Sequence, residues 1–194
     1  MGEKYGSPYQ EFPFSMMECG KSGIAEWGGT CGSLIGASAA LALFWGRKER
    51  DPMVNELFRW YEVTALPIFQ PAAGTAKVDK ALPNSVGDSI LCHISVSKWC
   101  TANSIPSASG ERSERCARVT ADVAVKTAEL MNAKIDGTFK PVLTKSEVYQ
   151  GCTAEGCHGG KKDKFAQPYL KGQMDCTPCH TGKKATQDMR KDHS

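Results

Sequence analysis

From Pro141 to Ser194 the chain has few aliphatic side chains, and Gly151, Gly156, Gly159, Gly160, Gly172 and Gly182 interrupt its lysine-rich stretches. A segment of this composition cannot bury enough apolar surface to make its own core. Something bulky and apolar must supply one, and a covalently held cofactor would do so. The residues before Pro141 read differently. Between Gly29 and Gly46 the side chains of Leu34, Ile35, Ala39, Leu41, Ala42 and Trp45 give a helix apolar on nearly every side, which should be buried. Asp51 and Pro52 form a good helix start, with Val54, Leu57, Phe58 and Tyr61 at helical spacing and Pro67 as the stop after Leu66. Gln70 to Ser85, rich in Pro, Ala, Gly and Lys, reads as a long connection. A third helix is expected over Val86 to Ala102 and a fourth, the longest, from about Ser109 to Lys134, with Cys116, Val119, Val123 and Leu130 on one stripe. No stretch shows strand-like alternation. The expected fold class is mainly α: a helical N-terminal domain over residues 1–140, then a loop-rich segment over residues 141–194.

Charge narrows the partners. The 194 residues carry a formal net charge of +3, which is too little to argue for a nucleic-acid partner. The longest apolar run, Leu34 to Trp45, is too short for a bilayer span and is broken by Gly36 and Ser38, so no transmembrane segment is expected. Met1 to Ser15 lacks the basic head and apolar middle of a secretory signal, so the chain shows no export address.

The nine cysteines divide into two groups. Cys152, Cys157, Cys176 and Cys179 form two close pairs near the C-terminus, whereas Cys19, Cys31, Cys92, Cys100 and Cys116 are scattered through the helical part. An odd total argues against a plain disulfide framework, and the tight pairs point to a cofactor. Cys176-Thr-Pro-Cys179-His180 is a CxxCH sequence, the attachment signature of c-type haem. Two thiols about one turn apart each add to a vinyl group of one porphyrin, and the histidine that follows meets the iron as proximal ligand. Cys152-Thr-Ala-Glu-Gly-Cys157-His158 has the same logic with a longer spacer, and Gly156 eases the loop-out it requires. The rival is a zinc ribbon, since two cysteine pairs at this separation also suit Zn²⁺. Four thiolates around zinc have no use for an imidazole after each pair, yet His158 and His180 occupy both places.

Histidine supply adds a constraint. The chain has four, His93, His158, His180 and His193, and two haems with bis-histidine ligation consume four imidazoles, which makes His93 and His193 the distal candidates. Two strong axial ligands leave iron no open position, so electron transfer is favoured over substrate chemistry. In the helical part, Cys31, Cys92, Cys100 and Cys116 are four thiols from three elements, a set that suits an iron-sulfur cluster or redox disulfides. The ordinary alternative is that each is a small buried hydrophobe. No Ser/His/Asp set, phosphate-binding glycine loop or paired carboxylates point to an unrelated enzyme.

With Cys31-Gly32-Ser33-Leu34-Ile35-Gly36, Cys92-His93, Cys100, Cys116 and the closing pair of haem motifs together, the chain resembles the split-Soret cytochromes c over most of its length. Its N-terminal part also resembles a wider group of redox proteins with a Cys-Gly-Ala-x-x-Gly signature, in which Ser33 replaces the alanine. The resemblance implies a homodimer with two haems c per subunit, stacked closely enough for their absorption to couple, with axial ligation completed across the subunit contact. It also implies a helical domain able to carry an iron-sulfur centre and a periplasmic redox protein of anaerobic bacteria. The reading that results is an electron carrier with bis-histidine haems and a possible iron-sulfur cluster at Cys31, Cys92, Cys100 and Cys116, serving a redox partner protein that the sequence does not name. A zinc-stabilised binding module is the alternative from another class, and a reductase with one five-coordinate haem is a third. Few apolar side chains are present to cover two porphyrins, which independently favours a homodimer whose haem segments meet.

Overall fold

The structure is a computed structural model that describes residues 2–7, 9–143, 145–152 and 173–174. In chain order the elements are α1 (Gly2–Tyr5), a 3-10 helix (Phe14–Gly20), α2 (Gly32–Phe44), α3 (Arg47–Val63), β1 (Ala65–Leu66), β2 (Ser85–Val86), α4 (Cys92–Ala102), α5 (Gly110–Ile135) and α6 (Glu147–Cys152). The fold is mainly α, as the periodicity predicts. Among the described residues no helix is long and apolar enough to cross a membrane.

Helix α2 packs against α3, α5 and the 3-10 helix. Leu34 and Ala37 of α2 meet Leu57 and Tyr61 of α3 and Val119, Val123 and Leu130 of α5 in the main core. The contact with the 3-10 helix depends on two glycines: a Cβ on Gly32 would overlap the carbonyl oxygen of Gly20. Helix α2 is not buried all round, as its apolarity led us to expect. Its other side, with Gly32, Gly36 and Ala40, lines a cavity. Small apolar side chains raise hydropathy without saying whether they fill space or leave it open.

Helix α3 starts at Arg47, ahead of the expected start at Asp51 and Pro52. The amides of Glu49 and Arg50 close the first turn on the Gly46 carbonyl at 3.1 and 2.9 Å, so Pro52 lies inside the helix and removes one intrahelical bond. The helix ends at Val63 because Leu66 precedes Pro67 and so favours extended backbone. That extended stretch pairs antiparallel with β2, Ala65 opposite Val86 and Leu66 opposite Ser85. Two-residue strands are too short to show alternation, which is why the sequence hides them.

Buried polar clamps hold the connections. The Asp122 carboxylate, on α5, accepts the amide protons of Ile68 and Phe69 at 2.9 and 2.8 Å. Arg118, 2% exposed, pairs with Glu114 at 3.0 Å and donates to Gln70 and to the carbonyls of Val78 and Lys80. The long connection is therefore tied down along its length. Its far end closes a second, smaller core of Leu82, Trp99 and Cys100. The Glu56 carboxylate on α3 accepts the amide protons of Val142 and Leu143 at 3.0 and 2.9 Å, so the chain leaves the helical part from a fixed point.

Candidate redox site

The loop before α2 and the start of α4 run side by side. The Cys31 amide donates to the Ile90 carbonyl at 2.9 Å, Cys92 donates to Gly29 at 2.7 Å, and His93 donates to Gly28 at 3.2 Å. This ladder brings Cys31 and Cys92 to one place although 61 positions separate them in the sequence. Gly28 has a φ of +72°, and a Cβ there would stand 2.9 Å from the His93 Cβ. Only glycine suits that position.

Helix α5 crosses in front of this ladder. Arg112, Arg115, Cys116 and Val119 fall at spacings of three and four, one helical face, and all four line a cavity of about 1370 Å³ together with Cys31, Cys92 and His93. Much of the rest of the wall is small: Gly36, Ala37, Ala40, Thr120, Ala124 and Ala128. Tyr61, 1% exposed, also reaches this wall, and its hydroxyl shares a 3.0 Å hydrogen bond with the Ser95 hydroxyl. Ser95 in turn accepts from the Arg115 guanidinium at 2.8 Å. The Cys31 thiol lies 3.1 Å from the Ser33 hydroxyl.

Burial sets the acidity of these groups. It pushes the Cys92 thiol up to about 11, helped by neighbouring Cys31 and Cys116 and opposed by Arg115 and Arg112. Burial also drives the Tyr61 hydroxyl well above its ordinary range, again with Cys31 as a contributor. Near neutral pH, Cys92 as a free thiol and Tyr61 are therefore protonated.

Of the four thiols predicted to act together, the structure brings Cys31, Cys92 and Cys116 to one cavity. Cys100 is apart. It packs with Leu82 and Trp99 in the second core, where burial pushes its thiol pKa up too. Among the described residues, no three His, Cys, Asp or Glu side chains gather closely enough to hold a metal ion. His93 is exposed at the cavity rim, and Cys19 is exposed on the 3-10 helix. Cys152 ends α6, its side chain beyond the description. Cys157, His158, Cys176, Cys179, His180 and His193 lie outside the described residues. Sequence reasoning missed Tyr61, Ser95 and Arg115. A basic residue one place before Cys116, a full turn after Arg112, was the available signal for the last.

A thiol-lined cavity between helices defines a class, the cysteine-bearing redox domains. In accord with it, residues 1–130 match the family described as "Putative redox-active protein (C_GCAxxG_C_C)". The full chain is 54% identical over 195 residues to the split-Soret cytochrome c of Desulfovibrio desulfuricans (strain ATCC 27774 / DSM 6949 / MB), covering 68% of that protein. It also aligns with a solved structure described as "A novel iron centre in the split-Soret cytochrome c from Desulfovibrio desulfuricans ATCC 27774", with a TM-score of 0.85 at 54% identity, over 100% of this chain and 80% of the other. The chain belongs to the split-Soret cytochromes c.

These findings correct the functional reading drawn from the sequence, a dihaem carrier with bis-histidine haems and a possible iron-sulfur cluster. The solved relative is described by a novel iron centre, and the matched family by redox activity. The described residues do not assemble the four-thiol cluster, because Cys100 lies eight positions along α4 from Cys92 and is taken up by the second core. Nor is there a bis-histidine arrangement among them. His93 sits on an exposed rim against Gly28, with no second histidine described near it. Of the four imidazoles counted, His93 alone falls among the described residues; His158, His180 and His193 lie outside them.

Proposed function

We propose that this chain is an electron carrier, a c-type cytochrome with haem attached through Cys152 and Cys157 and through Cys176 and Cys179. In this reading His158 and His180 are the proximal ligands. The haem iron supplies one-electron chemistry. The observation that carries the reading is the presence of both Cys-pair-His motifs in a chain 54% identical along its whole length to a protein named as a cytochrome c. The chain's residues 141–194 form the haem-binding part and residues 1–140 the helical part. Glu56 fixes the join by holding the amides of Val142 and Leu143.

The cavity thiols belong to the same proposal. Cys31, Cys92 and Cys116 are soft donors of the kind iron accepts, and they share one cavity without forming a ready-made three-ligand cage. Tyr61 and Ser95 close its inner wall. The scarcity of apolar side chains after Pro141 supports a homodimer in which haem-bearing segments cover one another, and membership of this family supports a periplasmic place of work. A protein of unknown identity exchanges the electrons. Absorption spectra of the purified chain, before and after reduction, test the proposal. A haem Soret band with sharp reduced bands is expected. A colourless protein with zinc in elemental analysis would overturn it.

A further inference from the structure

The three thiols of the cavity are not equivalent. Cys31 stands at the start of α2, where the amides of Leu34 and Ile35 donate to its carbonyl at 3.0 and 3.2 Å, while its side chain makes no bond to the helix backbone. Two hydroxyls meet its sulfur instead. The Ser33 hydroxyl is 3.1 Å away. Tyr61, buried beside it, has Cys31 as a second partner of the hydroxyl that it shares with Ser95. Among the described residues, Cys92 is acted on by burial and by neighbouring charges, not by a side-chain hydrogen bond. At Cys116 the hydrogen bond from Thr120 goes to the carbonyl oxygen and leaves the sulfur aside.

Proton counting gives these bonds their direction. Arg115 donates to the Ser95 oxygen at 2.8 Å. Ser95 is 1% exposed, and among the described residues its own proton has one acceptor, the Tyr61 oxygen at 3.0 Å. A buried hydroxyl proton without an acceptor is costly, so Ser95 donates to Tyr61 and the Tyr61 proton turns to the Cys31 sulfur. Ser33 donates to the same sulfur whenever Cys31 binds a cation, because a thiolate has no proton to give. Cys31, Cys92 and Cys116 share one cavity wall, and Cys92 lies near enough to the other two to feel the charge of each. Soft donors gathered in this way suit iron. We propose that Ser33 and Tyr61 are positioning residues for iron held at these thiols, and that they set its reduction potential through the two hydrogen bonds they give to the Cys31 sulfur. The inference rests on the reading of the cavity thiols as iron donors. Hydrogen bonds to a ligating sulfur favour the reduced state, which carries more negative charge, so both bonds raise the potential. Arg115 acts one step back, by fixing the order of donors through Ser95.

The test is a potentiometric titration of the full haem-bearing chain, followed by electron paramagnetic resonance at the signal that Cys92→Ser abolishes. Ser33→Ala and Tyr61→Phe are each expected to lower the midpoint of that signal. At a fixed potential the ratio of reduced to oxidised centre should fall about tenfold, which is about 59 mV for one electron. Ser33→Thr keeps the hydroxyl and should return the wild-type midpoint. Haem midpoints in the same samples should stay in place, which separates loss of a bond from a general loosening of the fold. An unchanged midpoint in both Ser33→Ala and Tyr61→Phe would overturn the proposal, as would equal shifts in Ser33→Ala and Ser33→Thr. If Tyr61→Phe does not fold, the two Ser33 variants decide the matter. Should the wild type give no iron signal beyond its haems, the iron reading of the cavity falls and this inference with it, while the haem bands still report on electron carriage.

Discussion

Single carboxylates do much of the work of fixing this fold. Asp122 is 7% exposed and receives two backbone amides from the extended chain that follows β1. Removing it leaves both amides without their acceptor, at a cost of about 1 kcal/mol for each of these part-buried hydrogen bonds. Asp122→Ala should therefore lower the denaturation midpoint markedly without changing the chain's helix content at low denaturant. Glu111 behaves differently because it lies near the start of α5. A hydrogen bond to backbone and the Lys80 ammonium at 3.2 Å hold its carboxyl below the usual range. A depressed folded-state value contributes stability above the unfolded value, and that contribution is lost as pH falls through the folded one. Glu111→Gln should flatten a small part of the acid limb of a stability-pH curve and leave the curve near pH 7 little altered. Neither role was legible in the sequence, where Asp122 reads as one more polar residue on a helix whose stripe is Val119, Val123 and Leu130.

Among the elements, the helices were the legible part and their ends were not. The strong periodicity of α5 placed it within a residue or so of its observed span, since the Ser109 cap and the apolar stripe agree. Helix α3 began earlier than Pro52 suggested, because tertiary packing tolerates one missing bond. The two glycines of α2 look alike in sequence but differ in space. A Cβ on Gly32 meets the carbonyl of Gly20, whereas one on Gly36 meets nothing within 4 Å. Gly32→Ala should lower stability by about 1–3 kcal/mol through forced separation of α2 from the 3-10 helix. Gly36→Ala should raise it by up to about 1 kcal/mol, through the ordinary helix preference for alanine. Thermal unfolding of the two variants side by side gives the sign of each effect.

At the scale of the whole molecule, two parts of the chain solve different problems. The helical part buries a conventional core and leaves a thiol-lined cavity between α2, α4 and α5. The part after Pro141 has too few apolar side chains to do the same, and its motifs are those of covalent haem attachment. The motifs were legible because attachment chemistry is local: thiol spacing and the adjoining histidine are written in consecutive residues. The cavity was only partly legible, because Cys31, Cys92 and Cys116 come together through a backbone ladder and a helix crossing that no local pattern encodes. Cys100, at helical distance from Cys92, looked like a fourth member and belongs to the second core. The histidine count was a sum over the chain with no geometry in it, and three of its four members lie outside the described residues.

The central claim is that haem is bonded to this polypeptide at its two Cys-pair-His motifs. Peptide mass spectrometry of the denatured, protease-digested protein tests it most directly. Each of the peptides carrying Cys152 with Cys157, and Cys176 with Cys179, is predicted to bear one haem increment that survives denaturation. Recovery of both peptides with free thiols and unmodified mass, from protein that binds zinc, would contradict the account.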